Sequence, residues 1–153
     1  ILTLYPAEYA VALEGREIVR ERLGWEMPEG ELGFLAMHIH GARRRGGLPK
    51  ALRYTALLKE LVDALEAESG KPVDRSGLDY ARLLTHFRFV FERVERGEAI
   101  VNPLTDRLAA EYPEAFRVAG LLAGIISREL RRPVPGDETG YITIHLLRFL
   151  PPE

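Results

Sequence analysis

The sequence predicts an all-α protein, and three observations lead there. Apolar residues recur three or four positions apart along most of the chain, the spacing of a single helix face. The interruptions fall at glycine, proline and polar clusters, where helices start and stop. The last third of the chain also repeats the first. Tyr5, Pro6, Val11, Ala12, Ile18, Leu23, Pro28, Glu31, Gly33 and His38 recur as the same residue types at a constant offset of 107, from Tyr112-Pro113 to His145, without a gap. Phe34 recurs as Tyr141. One unit with its connection therefore takes about 107 of the 153 residues, so the chain is expected to hold the last part of one copy and a complete second copy.

Taken in order, Pro6 opens the first helix, where a missing N–H costs nothing. Tyr9, Ala12, Leu13, Ile18 and Leu23 continue it, and Gly24 stops it. A turn from Trp25 to Gly30 leads to a second helix from about Glu31 to Ala42. Arg43 to Pro49 has linker composition. Helical spacing resumes at Leu52 and passes through Leu57, Leu58, Leu61, Val62 and Leu65 to Ser69-Gly70. Asp74 and Ser76 are N-cap candidates for the next helix. That helix carries Leu83, Leu84, Phe87, Phe91 and Val94 and ends at Gly97. Asn102-Pro103 starts a short helix to about Glu111, the two repeat helices follow, and Pro151-Pro152 ends the pattern. Tyr141 to Leu147, β-branched and preceded by Gly140, also suits a buried strand. Its counterpart Phe34-Leu-Ala-Met-His38 prefers a helix, and two copies of one unit should share one structure.

Composition narrows the function. Hydrophobic content of 46% with 29% charged residues is that of a soluble globular protein. A net charge of −2 leaves no electrostatic footprint for nucleic acid on this chain. Cysteine is absent, which excludes a disulfide framework and thiolate zinc sites. No signal peptide or long apolar run is present, so a cytoplasmic location is expected. Arginine outnumbers lysine 18 to 3, glutamine is absent and Asn102 is the single asparagine, a bias that fits a GC-rich genome or a thermophile.

The histidines are the lead to function. His38 and His145 stand at equivalent places in the motif Glu-x-Gly-aromatic-x-x-x-His. On a helix, His145 shares a face with Tyr141 and Glu138, four and seven residues back. His86 lies on the amphipathic helix of the complete copy. His40 has no counterpart, since position 147 is Leu. A half-buried histidine can serve packing alone. Neutral imidazole is also a good nitrogen nucleophile near neutral pH and can accept a phosphoryl group. That group adds charge approaching −2 by analogy with other phosphorylated side chains, for which Arg88 and Arg148 are candidate supports. A metal centre fits poorly, because His38 and His40 point to nearly opposite sides of a helix and no ligand set surrounds them. Neither a nucleophile elbow nor a phosphate-binding loop is present, so no enzyme activity and no cofactor are expected. The arginines from Arg43 to Arg45 suit a solvated linker, or contact with RNA or an acidic partner.

Four stretches in order carry a resemblance. They are Glu31-Leu-Gly-Phe-Leu-Ala-Met-His38-Ile; Leu84-Thr-His86-Phe-Arg-Phe; Asn102-Pro-Leu with Tyr112-Pro-Glu-Ala-Phe; and Asp137-Glu-Thr-Gly-Tyr-Ile-Thr-Ile-His145-Leu. Together they resemble the PTS regulation domain, found twice in bacterial transcriptional antiterminators of the BglG/SacY type. The resemblance implies tandem helical bundles, the first truncated. Residues 1–45 would be the C-terminal half of the first domain, 46–51 a linker and 52–150 the complete second domain. It implies a homodimer whose histidines are phosphorylated by the sugar phosphotransferase system. His86 and His145 match the two sites of the second domain, and His38 the second site of the first. The remaining site would lie before Ile1. In such proteins HPr phosphorylates the second domain and favours the active dimer. A sugar permease's enzyme II B component phosphorylates the first and switches the protein off. The dimer holds an N-terminal RNA-binding module, absent here, on a leader transcript. Transcription activators with the same domains, and an unphosphorylated dimeric interaction module, are the alternatives.

Overall fold

The computed structural model describes residues 2–43 and 47–152, with backbone alone at 47–49. All regular structure among these residues is helical: α1 (Pro6–Leu23), α2 (Glu29–Arg43), α3 (Gly47–Ser69), α4 (Leu78–Arg96), α5 (Thr105–Glu111), α6 (Pro113–Leu130) and α7 (Gly136–Leu146). They form two compact units, Ile1–Ala56 and Leu57–Glu153, and the division falls within α3. The segment from Tyr141 is helix rather than strand, as its repeat partner requires. Residues expected as linker are helical from Gly47 on. Pro49 sits within the first four positions of α3, whose N–H groups have no intrahelical partner in any case. Arg44, Arg45 and Gly46, the centre of the arginine cluster, lie outside the described residues.

In the first unit α1 packs on α2 through small residues. Ala12, Leu32 and Ala36 are fully buried, ringed by Tyr9, Leu13, Met27, Leu35 and Ile39. Alanines at the contact let the two backbones approach closely, and Gly15 would gain only an ordinary contact to Leu35 from an added methyl, at 3.7 Å.

The second unit has the larger core. Leu61 and Leu65 on α3, Leu83, Phe87, Val90 and Phe91 on α4, Leu122 and Ile126 on α6, and Ile142 and Leu146 on α7 are all essentially inaccessible to solvent. The Phe87 and Phe91 rings lie 6.3 Å apart. Burying each such ring contributes up to about 3 kcal/mol. At the rim, Arg117 bonds Glu68 and Arg128 bonds Glu60, tying α6 to α3. Exposed pairs of this kind add at most about 1 kcal/mol each.

The repeat is reproduced in the backbone. α1 and α6 have 18 residues each and begin and end at the same repeat positions. Both follow a tyrosine, Tyr5 at φ −133°, ψ 58° and Tyr112 at φ −132°, ψ 63°. Both end on a left-handed residue, Gly24 at φ 63° and Arg131 at φ 53°. Glycine adopts that region freely, whereas a residue with a Cβ is strained there by about 1–2 kcal/mol. α2 and α7 also start at equivalent positions.

Two start signals act differently from expectation. Gly77, in extended backbone, is the N-cap of α4, and neither Asp74 nor Ser76 is. Asp74 instead accepts hydrogen bonds from the Ser76 N–H at 2.9 Å and hydroxyl at 2.6 Å. This local turn competes with capping and delivers the chain to α4. Asn102 behaves likewise: its Oδ1 accepts from the Leu104 N–H at 3.0 Å, and α5 starts only at Thr105.

Candidate functional site

The site is built where α7 lies along α4 in the second unit. Position 86 falls at the border of the α4 face formed by Leu83, Phe87 and Val90, so the His86 side chain is half-buried. His145 borders the face of α7 that buries Ile142 and Leu146.

Four contacts along the first half of α7 hold it in place. The Thr105 hydroxyl donates to Asp137 at 2.8 Å. Glu138, wholly buried, accepts two hydrogen bonds from Arg93, from Nε at 2.6 Å and from Nη2 at 3.0 Å. Gly140 lies so close to Asn102 and Thr105 that a Cβ there would meet Asn102 Nδ2 and Thr105 Oγ1 at 2.7 Å. The Tyr141 hydroxyl reaches the Val101 carbonyl at 3.4 Å. A buried, two-pronged carboxylate–guanidinium contact fixes geometry as well as charge.

These fastenings bring His145 onto His86. The rings stack with centroids 4.2 Å apart and planes inclined by 30°. Tyr141 stands 6.4 Å from His86 on the same side. The two helices run antiparallel in register, since His86 meets His145 while Arg93, seven residues later, meets Glu138, seven residues earlier. The rings open onto a shallow cleft of about 400 Å³, lined also by Leu78, Ala81, Arg82, Thr85 and Phe89.

Burial decides the protonation state. It lowers the His86 pKa to about 3, helped by the neighbouring His145 and Arg93. Burial likewise lowers that of His145, with a smaller push from Arg82. Both rings are therefore neutral at pH 7, and each keeps a nitrogen lone pair. Nε2 of His86 is buried and without a hydrogen-bond partner.

The other expected residues are placed elsewhere. His38 is exposed on α2, and its Nδ1 lies 3.0 Å from the Phe34 carbonyl oxygen. Arg88 is half-buried on α4, two residues past His86 and outside the cleft lining. Arg148 lines a separate cavity of about 590 Å³ with Asp74, Tyr80 and Pro151. His40 belongs to the first unit's interior edge, 4.3 Å from the Tyr5 ring and 3.2 Å from Glu8 Oε1. Among the described residues no His, Cys, Asp and Glu group is arranged to hold a metal ion.

Sequence reasoning found both histidines and placed Tyr141 and Glu138 on the face of His145, but missed Arg82 and Arg93. Arg82 stands four residues before His86, and Arg93 seven residues after it. Those are same-face helical spacings, so the signal was available.

Known proteins resemble this chain along most of its length. The chain is 36% identical over 149 residues to the PtsGHI operon antiterminator of Bacillus subtilis (strain 168), covering 96% of this chain and 53% of that protein. It is 28% identical over 150 residues to the transcription antiterminator LicT of the same organism, at 96% and 54% coverage. It is 25% identical over 148 residues to the beta-glucoside operon antiterminator of Dickeya chrysanthemi, at 95% and 52%. The chain thus spans about half the length of the curated relatives it matches. The PRD domain profile matches residues 1–42 and again 59–149, one match in each repeat. With the all-helical repeat and its matched histidines, this places the chain in the PRD domain family.

Proposed function

We propose that this chain is the regulatory part of a transcription antiterminator, controlled by histidine phosphorylation. His86 and His145 are the acceptors in a second domain covering 52–150. His38 is the acceptor in the portion of a first domain covering 1–45. The donors are HPr and an enzyme II B component of the sugar phosphotransferase system. RNA is held by a module outside these residues, and the protein works as a cytoplasmic homodimer. Among the described residues no helix is long and apolar enough to cross a membrane.

The observation that carries this reading is the stacked, neutral His86–His145 pair at the mouth of a cleft. A phosphoryl group brings charge near −2 and three acceptor oxygens into a contact that is otherwise apolar. The stack cannot keep its geometry around such a group. The packing of α7 on α4 then shifts, and any association surface that depends on it shifts too. Only the difference in interaction between the two states drives the switch.

The test is to incubate the chain with enzyme I, HPr and phosphoenolpyruvate and to map phosphohistidine by peptide mass at neutral to alkaline pH. Label on His86 or His145 is the expected result. No label from donors proven active on another acceptor overturns the reading. Sedimentation of a His86→Asp, His145→Asp double variant adds a second measure, with a changed association constant expected.

A second reading, an unphosphorylated interaction module, draws on the burial of His86 Nε2, which no donor reaches while the stack is closed. Association indifferent to both aspartates would favour it.

A further inference from the structure

We propose that the cleft between α4 and α7 is a single-phosphoryl site: it takes one group at a time, on His145 first, with Arg82 as the counter-charge. This inference rests on the phosphorylation reading above and adds order and exclusivity to it.

Three observations converge. The first is distance. With ring centroids 4.2 Å apart, phosphoryl groups on both rings would be near neighbours, each with charge close to −2. The second is the supply of cations. Among the lining residues Arg82 is the only permanent positive charge. Among the described residues its one ion pair, to Asp79, is long at 3.8 Å, and its side chain is 61% exposed, which lets it turn toward the cleft. Arg93 lies nearby but is committed to buried Glu138 by two hydrogen bonds. One arginine can answer one phosphoryl group. The third is access. His145 is the less deeply buried ring, whereas Nε2 of His86 is shut in without a partner. His86 becomes an acceptor when the His145 ring is replaced by a smaller, uncharged side chain, which opens its Nε2 without adding a second negative group.

The transfer balances as an ordinary substitution at phosphorus. The lone pair of the unprotonated His145 nitrogen forms the new N–P bond. The donor's N–P bond breaks, and its electron pair returns to the donor nitrogen, which takes up a proton from solvent. The other nitrogen of the acceptor ring releases its proton to solvent, so no net proton is consumed.

The experiment uses phosphoramidate, a small chemical donor of phosphoryl groups to histidine, so that access is measured apart from donor recognition. Occupancy of His86 and His145 is counted by peptide mapping over time in the full chain. The expected result is a summed occupancy levelling at one per chain, with His145 filled several-fold faster. His145→Asn, or His145→Gln if the first variant melts early, then transfers labelling to His86. Arg82→Gln lowers the plateau at His145 by roughly two- to fivefold, the worth of an exposed ion pair.

A summed occupancy approaching two in the wild type overturns the inference and leaves the phosphorylation reading intact. An unlabelled His86 in both His145 variants also overturns it. Single labelling by phosphoramidate with none from phosphorylated HPr or an enzyme II B component keeps the inference and sinks the assigned donors. No label at either histidine from any donor sinks both.

Discussion

The pair α1–α2 and the pair α6–α7 are two printings of one design in different surroundings. Their helices start at the same repeat positions, and the first helix of each pair follows a tyrosine in the same conformation. What differs is what packs on the second helix. In the second unit α4 and the Asn102–Thr105 turn close over α7. Glu138 is wholly buried on Arg93, and His145 stacks on His86. In the first unit the matching Glu31 and His38 are exposed. The repeated sequence fixes the backbone of the pair, and in the second unit a neighbouring helix sets the surroundings of its histidine.

The largest expected contrast lies at the matched glutamates. Glu138→Gln leaves Arg93 facing a buried neutral group and should cost about 3 kcal/mol or more of unfolding free energy. Glu31→Gln on exposed surface should stay within about 0.5 kcal/mol. Urea denaturation of both variants measures the gap, and equal costs would break the comparison.

Gly140→Ala comes next. Its methyl would sit 2.7 Å from two polar side-chain atoms and 3.3 Å from the Thr105 Cα. The backbone has to shift, at about 1–3 kcal/mol. Gly15→Ala, which meets only Leu35 at 3.7 Å in a helix interior, should instead raise stability by up to about 1 kcal/mol. Thermal melts of the two alanine variants should move in opposite directions.

The third contrast is pH dependence. The His86 pKa is lowered to about 3 by burial first and nearby positive charge second. The unfolded chain then takes up a proton at that residue near pH 6.5, while the folded chain does not. Stability is complete above that pH and is lost as pH falls from about 6.5 toward 3, by about 2 kcal/mol at pH 5. Removing the imidazole with His86→Asn should flatten this slope, measured as the difference between denaturation series at pH 7 and pH 5. An unchanged slope would mean that the ring opens to solvent at little cost.

The smallest effect tests the helix ends. Gly24 and Arg131 cap equivalent helices in the same left-handed conformation. Arg131→Gly should stabilise the second unit by about 1 kcal/mol, and Gly24→Ala should destabilise the first by a similar amount. Calorimetry of the two variants checks the signs.

Much of this fold was legible because helices advertise their ends. Pro6 and Pro113 open helices, Gly24 and Gly97 close them, and the apolar spacing of α4 names its buried face without reference to any other helix. The strand-like run at Tyr141 was settled by its repeat partner. Glycine and proline at 46–49 read as a connection, yet a first helical turn tolerates both, so α3 starts earlier than composition suggests. Asp74 and Ser76 have capping chemistry, but they satisfy each other first. At the site, the histidines were visible as a repeated motif and an amphipathic border. The stack was not, because it depends on how two helices 40 residues apart lie in register. Arg148 looked close to His145 along the chain, but beyond the end of α7 it turns toward another cavity.

That register gives α7 a fulcrum. The Arg93–Glu138 contact and the histidine stack are two rungs between the same helices, seven residues apart, or about 10.5 Å along the axis. One rung is a buried, doubly bonded ion pair that resists separation. The other is a stack of neutral rings, with nothing but contact to hold it. Prising the rings apart by about 1 Å tilts α7 about its anchored end by about 5°, given that lever arm. Under the proposed phosphorylation, the Glu138 anchor turns a charge at the cleft into rotation of α7 about that end rather than sliding along α4.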